Sequence, residues 1–147
     1  MYQPWLDEGF AREGARRTRA DFEIAATCHL QITSSEEERQ GVIDALKPSI
    51  ALYMGGMGAK EQNFHKNVFD RMGYAAITEE VQELFLAGKR EQAIALIPDE
   101  LAEEMHIVGD AGYVKERAAQ WEETGVTTLL LSLRSADEVR LIAETLA

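Results

Sequence analysis

From Phe22 to Ile32 the side chains alternate. Phe22, Ile24, Ala26, Cys28, Leu30 and Ile32 fall on one side, and Glu23, Ala25, Thr27, His29 and Gln31 on the other. A period of two predicts an extended strand with one face against a core. Thr33 and Ser34 end it, and Ser35 followed by Glu38 reads as a capping box that opens a helix. Val42, Ile43, Leu46 and Ile50 continue that helix at three- and four-residue spacing. Pro48 removes one backbone donor inside it, which predicts a kink or a break.

Three glycines, Gly55, Gly56 and Gly58, interrupt the helical period until Phe64, Val68, Phe69 and Met72 restore it. The expected structure is helix, glycine turn, helix. Thr78 with Glu79 and Glu80 opens a further helix that Gly88 stops, a short helix runs from Ala93 to Leu96, and Pro98 starts another through PDELAEEM. Upstream, Pro4 suits the first turn of a helix carrying Trp5, Leu6 and Phe10 to about Arg17. The last third is the most regular. Asp110 caps a helix with Ala111, Val114, Ala118 and Trp121 on one face, and Gly125 ends it. Thr127 to Leu133 is a short apolar strand, and Ser135 caps a closing helix bearing Val139, Ile142 and Leu146. Helix, turn, buried strand, helix is the pattern of a parallel α/β unit. His106 to Gly109 is a third, weaker strand.

Composition narrows the function. The 147 residues are 46% hydrophobic, enough for one domain, 1–147, with its own core. The 26 acids against 15 bases, a net charge of −11, argue against a nucleic-acid surface, because phosphate binding needs clustered cations. No apolar run approaches the roughly 18 residues of a membrane span, and the charged opening MYQPWLDEGFAR does not read as a signal peptide. The single cysteine, Cys28, cannot form an internal disulfide, and a reducing, cytoplasmic setting is expected.

Residue by residue, the candidates for chemistry are few. The glycine run followed by Lys60 lacks the spacing of a phosphate loop, and Glu61 stands where Ser or Thr would bind magnesium. Two readings stay open for it. It is a tight turn that only glycine allows, or it brings backbone close to a ligand with Tyr53, Met57, Asn63 and Phe64 around it. Cys28 and His29 are sequence neighbours but point to opposite faces of a strand, so Cys28 is expected in the core. His65 and His106 have no partner at metal-ligand spacing, and no metal is expected. The paired and tripled glutamates fall in first helical turns or on exposed faces.

The strand count is informative. Two clear strands and one weaker strand cannot by themselves bury a parallel strand on both edges and both faces. A (β/α)8 TIM barrel takes about 250 residues, so 147 residues hold at most a terminal piece of one, and the resemblance that follows implies such a C-terminal piece, mostly helical, with a helical insertion at about 35–105. YMGGMGAKEQNF (Tyr53 to Phe64), RMGY (Arg71 to Tyr74) and the closing GD, helix and GVTTLLLSLRS resemble the C-terminal part of the luciferase-like monooxygenase superfamily. More narrowly, the chain is similar to the branch of oxidoreductases that use the deazaflavin coenzyme F-420, among them the methylenetetrahydromethanopterin reductases.

That resemblance implies hydride transfer between the deazaflavin and an organic substrate, with FMN as the alternative cofactor. It makes Tyr53, Gly55, Gly56, Met57, Gly58, Asn63 and Phe64 candidates for the cofactor or substrate. In a barrel the C-terminal strand ends carry the active site. His29 is therefore a candidate proton donor or acceptor, and Ser132 and Arg134 candidates for holding a phosphate or carboxylate. Two other classes of function remain: a catalytically silent domain that associates with copies of itself through open strand edges, and a small-molecule-binding domain built on the helical insertion. A homo-oligomer is the expected assembly.

Overall fold

A computed structural model describes residues 2–59 and 62–147; Lys60 and Glu61, considered above against the phosphate-loop pattern, lie outside the described residues. The architecture is α/β with short strands and mostly helix. The alternating stretch is extended as expected but pairs in two pieces. β1 (Ala25–Thr27) lies parallel to β4 (Thr128–Leu130), and β2 (Leu30–Ile32) lies parallel to β3 (Ile107–Gly109). The carbonyl of Ile24 accepts from Thr127 and Thr128, whereas His29 and Thr33 bond to β3. Cys28 and His29 belong to neither ladder. Phe22, predicted as the start of the strand, is outside it and packs edge-on against Phe10 with ring centroids 5.3 Å apart.

Two apolar clusters hold the chain. One gathers Cys28, Leu30, Ile107, Val114 and Ile142, with Trp121 and Leu129 against it, between the short strands and helices α7 (Ala111–Glu123) and α8 (Ala136–Leu146). Cys28 sits in this cluster, and its burial pushes the thiol up to about 11. The other cluster fills the helical excursion. It is built by Ile43 and Ile50 of α2 (Glu36–Ala51), Phe69 of α3 (Phe64–Phe69), Val81 of α4 (Ala75–Leu86), Ala93 of α5 (Arg90–Ala95) and Leu101 of α6 (Asp99–Met105). Val108 of β3 closes it from below.

Several boundaries differ from the sequence reading for identifiable reasons. Helix α1 spans Gln3–Ala11 rather than reaching Arg17, and none of its residues is buried. Without an apolar face against a core, a helix has little to extend it. α2 runs through Pro48 instead of breaking there. Pro48 and Asp44, whose carbonyl loses its donor, are both on the exposed side, where water replaces the bond. The irregularity comes one turn later, as a π-turn over Leu52–Gly56. α4 begins at Ala75, not at Thr78. Thr78 is buried inside the helix and its hydroxyl donates to Asp70 Oδ1 at 2.5 Å instead of capping. β4 is shorter than Thr127–Leu133, and Leu130 is 50% exposed rather than buried. Among the described residues it pairs only with β1, and a parallel strand is buried only when its edges and faces are covered.

The glycine run has a packing explanation. Gly55 is buried where the π-turn crosses α4, and a Cβ there would lie 2.7 Å from Phe85 Cβ and 3.1 Å from the Val81 carbonyl. The Cβ space of Gly56 is filled by the Phe85 ring. Gly58 turns the chain with φ +140°. Gly55→Ala is expected to destabilise the protein by about 1–3 kcal/mol through overpacking, read as a lower denaturant midpoint with an unchanged slope. An unchanged midpoint would show that the two helices separate freely.

Candidate functional site

Two of the strand-to-helix turns are built alike. After β2, Ser35 Oγ accepts from the Glu38 N–H at 3.2 Å, and Glu38 accepts from the backbone and hydroxyl of Ser34, both at 2.8 Å. After β4, Ser135 Oγ accepts from the Glu138 N–H at 3.2 Å, and Glu138 accepts from the Arg134 N–H at 2.6 Å. In each the serine caps the helix, while the glutamate reaches the residue before the cap rather than the cap's own N–H, one position beyond a capping box. The bonds from Ser34 hold the Glu38 carboxyl below the usual range. Both glutamates thus direct lone pairs at their own turns.

Between these turns lies a cavity of about 220 Å³, lined by His29, Gln31, Ser132, Arg134 and the two capping glutamates over a floor that includes Leu141 and Ile142. The structure therefore brings together His29, Ser132 and Arg134, which come from strand ends about a hundred positions apart. Arg134 has no ion pair among the described residues, although its backbone is pinned by Glu138. His29 Nε2 lies 3.1 Å from Gln31 Oε1.

His106 was the residue that sequence reasoning missed. Its Nδ1 accepts the His29 backbone N–H at 3.1 Å, and the two rings meet edge to face at 6.5 Å. The signal lay in the register. Leu30 pairs with Ile107, so the residues before them are neighbours. Burial, and then the nearby His29, push the His106 imidazole down to about 4.

The glycine-turn candidates lie apart from this cavity, and only Tyr53 among them lines another. Tyr53 stacks edge-on against His65 at 4.8 Å, and both line a second, largely apolar cavity of about 260 Å³ with Val68, Phe69, Met72 and Met105. Asn63 is 3% exposed and engaged on every side. Its Nδ2 donates to the carbonyls of Met54 at 2.8 Å and Tyr53 at 3.3 Å, and its Oδ1 caps α3. It staples the turn to the next helix. Met57 and Phe64 are exposed, Phe64 at 79%.

The family model described as luciferase-like monooxygenase matches residues 4–128. The chain belongs to this family. A relative from Mycobacterium tuberculosis, which carries the provisional name coenzyme F-420-dependent oxidoreductase, is 50% identical over 143 residues. The alignment covers 97% of this chain and 40% of the relative, so the chain spans about two fifths of that protein's length. No solved structure matches the chain.

The strand-end cavity is built for part of a ligand rather than the whole of one. At about 220 Å³ the strand-end cavity is smaller than the roughly 300–1,000 Å³ of sites that enclose a whole ligand. Its unpaired Arg134 and the Ser132 hydroxyl nevertheless suit an anionic tail. Gly55 and Gly56 offer no cradle, because Phe85 and Val81 occupy the space their missing side chains leave.

The His106 contact predicts a pH dependence. Its folded value of about 4 lies below the ordinary 6.5, so the unfolded chain takes up the proton first. The stabilising contribution is complete above about pH 6.5 and is lost as the pH falls toward 4. His106→Gln should flatten the fall in melting temperature across that window; equal slopes in variant and parent would refute the assignment.

Proposed function

We propose that this luciferase-like chain is part of an oxidoreductase dependent on coenzyme F-420, in which the strand-end cavity holds the anionic end of the deazaflavin. The observation that carries this reading is the meeting of Arg134, Ser132 and His29 in one cavity at the C-terminal ends of parallel strands. The name carried by the Mycobacterium tuberculosis relative supports it. When bound, the deazaflavin exchanges a hydride with an organic substrate. The residues of this chain bind and orient: Arg134 supplies the positive charge, Ser132 a hydroxyl and His29 a ring nitrogen. FMN, whose phosphate presents the same charge to Arg134, is the alternative occupant. A cytoplasmic setting accords with a single, buried, unpaired cysteine. No helix among the described residues is long and apolar enough to cross a membrane.

The reading is tested by titrating oxidised F-420 into the purified chain and following fluorescence quenching. Saturable binding is expected, weakened about tenfold or more in Arg134→Ala, the loss expected for a charge-assisted hydrogen bond. Phe64→Ala should leave it unchanged. Absence of saturable binding by the parent chain would end this reading.

A second reading, association with another copy, is favoured by one set of observations. Leu130 on β4 and Val139 and Leu141 on α8 are each about half exposed, and β4 pairs only with β1 among the described residues. An uncovered strand edge beside apolar side chains is a surface that another chain can pair with. Sedimentation velocity should show a dimer or larger species that Leu130→Lys shifts toward monomer; a monomer at all concentrations would exclude it.

A further inference from the structure

The cavity in the helical excursion is walled differently from the one at the strand ends. Phe69 is its buried floor, Val68 and Met105 are half-buried at its sides, and Tyr53, His65 and Met72 form an open rim. No Asp, Glu, Lys or Arg lines it, whereas Glu38, Glu138 and Arg134 line the other. A chain whose residues are 28% charged thus keeps those charges out of this hollow. Two π-turns supply part of the rim. Tyr53 comes from the one over Leu52–Gly56, and Met72 from another over Asp70–Tyr74, where Gly73 bends the chain at φ +103°. Such turns are rare and recur at functional sites. Asn63 ties the rim together, because its Nδ2 donates to the Tyr53 carbonyl while its Oδ1 caps the helix that carries His65. The Tyr53 and His65 rings meet edge on, yet neither the Tyr53 hydroxyl nor a His65 ring nitrogen hydrogen-bonds to another described residue.

We propose that this cavity binds a neutral molecule with a single aromatic ring and one hydroxyl group, a simple phenol. Size sets the first limit. An apolar cavity of about 150 Å³ takes up benzene, so about 260 Å³ accommodates one ring with a short substituent. The lining sets the second. Methionine sulfur and aromatic edges both favour contact with a ring beyond the area they bury, and Met72, Met105, Phe69 and Tyr53 supply them. The unpartnered Tyr53 hydroxyl and His65 ring at the rim suit the hydroxyl of the ligand. A carboxylate would lose its hydration with no Lys or Arg in the lining to replace it. The site goes beyond the cofactor reading and stands without it.

Methyl NMR of the full chain labelled with 13C at its methionine methyls, titrated with 4-methylphenol, tests it. Met72→Leu and Met105→Leu assign the two signals that matter. Both should shift and saturate with a Kd below about 1 mM, because a ring placed against them alters their shielding, while the Met57 methyl stays in place. 4-Methylbenzoate, the same ring with a negative charge, should bind roughly tenfold more weakly or worse. Met72→Trp, whose indole occupies the hollow from its open rim, should weaken 4-methylphenol roughly tenfold or more. Val68→Phe replaces it if melting shows the tryptophan variant unfolded. Arg134→Ala, in the other cavity, should leave the affinity unchanged. No saturation by about 1 mM, equal binding of 4-methylphenol and 4-methylbenzoate, unchanged affinity in the folded cavity-filling variant, or weakened binding in Arg134→Ala would each overturn the proposal. These spectra need no coenzyme. A chain that binds F-420 but not 4-methylphenol would keep the cofactor reading and lose this site, and the reverse result would keep the site alone.

Discussion

The extended segment that carries β1 and β2 holds together parts of the chain that are far apart in sequence. Ile24 bonds across to Thr127 over 103 positions, and His29 bonds to His106 over 77. Each parallel ladder has only three residue pairs. So little sheet cannot stabilise itself, and the ladders depend on the apolar cluster of Cys28, Leu30, Ile107, Val114 and Ile142 beneath them. Closing so long a loop costs only slightly more than closing a short one. The helical excursion between the strands can therefore be large, because it brings its own core.

That core accounts for a motif that looks like a ligand-binding loop. Glycines invite a phosphate reading because their backbone can approach an anion closely. Here Gly55 and Gly56 are approached by another helix, and Phe85 fills the volume that side chains would need. The same physical property, a missing Cβ, serves helix packing. Asn63 follows the same logic, since all of its polar atoms are engaged by the turn it secures.

The strand-end cavity arises from repetition. Two strands each pass into a helix through a serine cap and a glutamate that reaches back, and the two turns lie on either side of the same small volume. Because Glu38 and Glu138 are turned toward backbone donors, Arg134 keeps its charge available in a protein whose net charge is −11. Local helix chemistry in this way leaves the Arg134 guanidinium without an ion pair among the described residues.

Local signals in the chain were enough for much of this. The caps at Ser35, Asp110 and Ser135, the stops at Gly88 and Gly125, the apolar face through Cys28 and Leu30, and membership of the luciferase-like family all follow from residues close together in sequence. Each depends on bonds or periodicities spanning a few positions, which is the range over which sequence speaks directly. The start of α4, the passage of α2 through Pro48 and the exposure of Leu130 depended instead on which groups lay across from them. So did the pairing of His106 with His29 and the meeting of His29, Ser132 and Arg134 in a cavity apart from Tyr53. Register and helix crossing are set by packing between distant segments, and only the tertiary structure fixes which side chains that packing brings face to face.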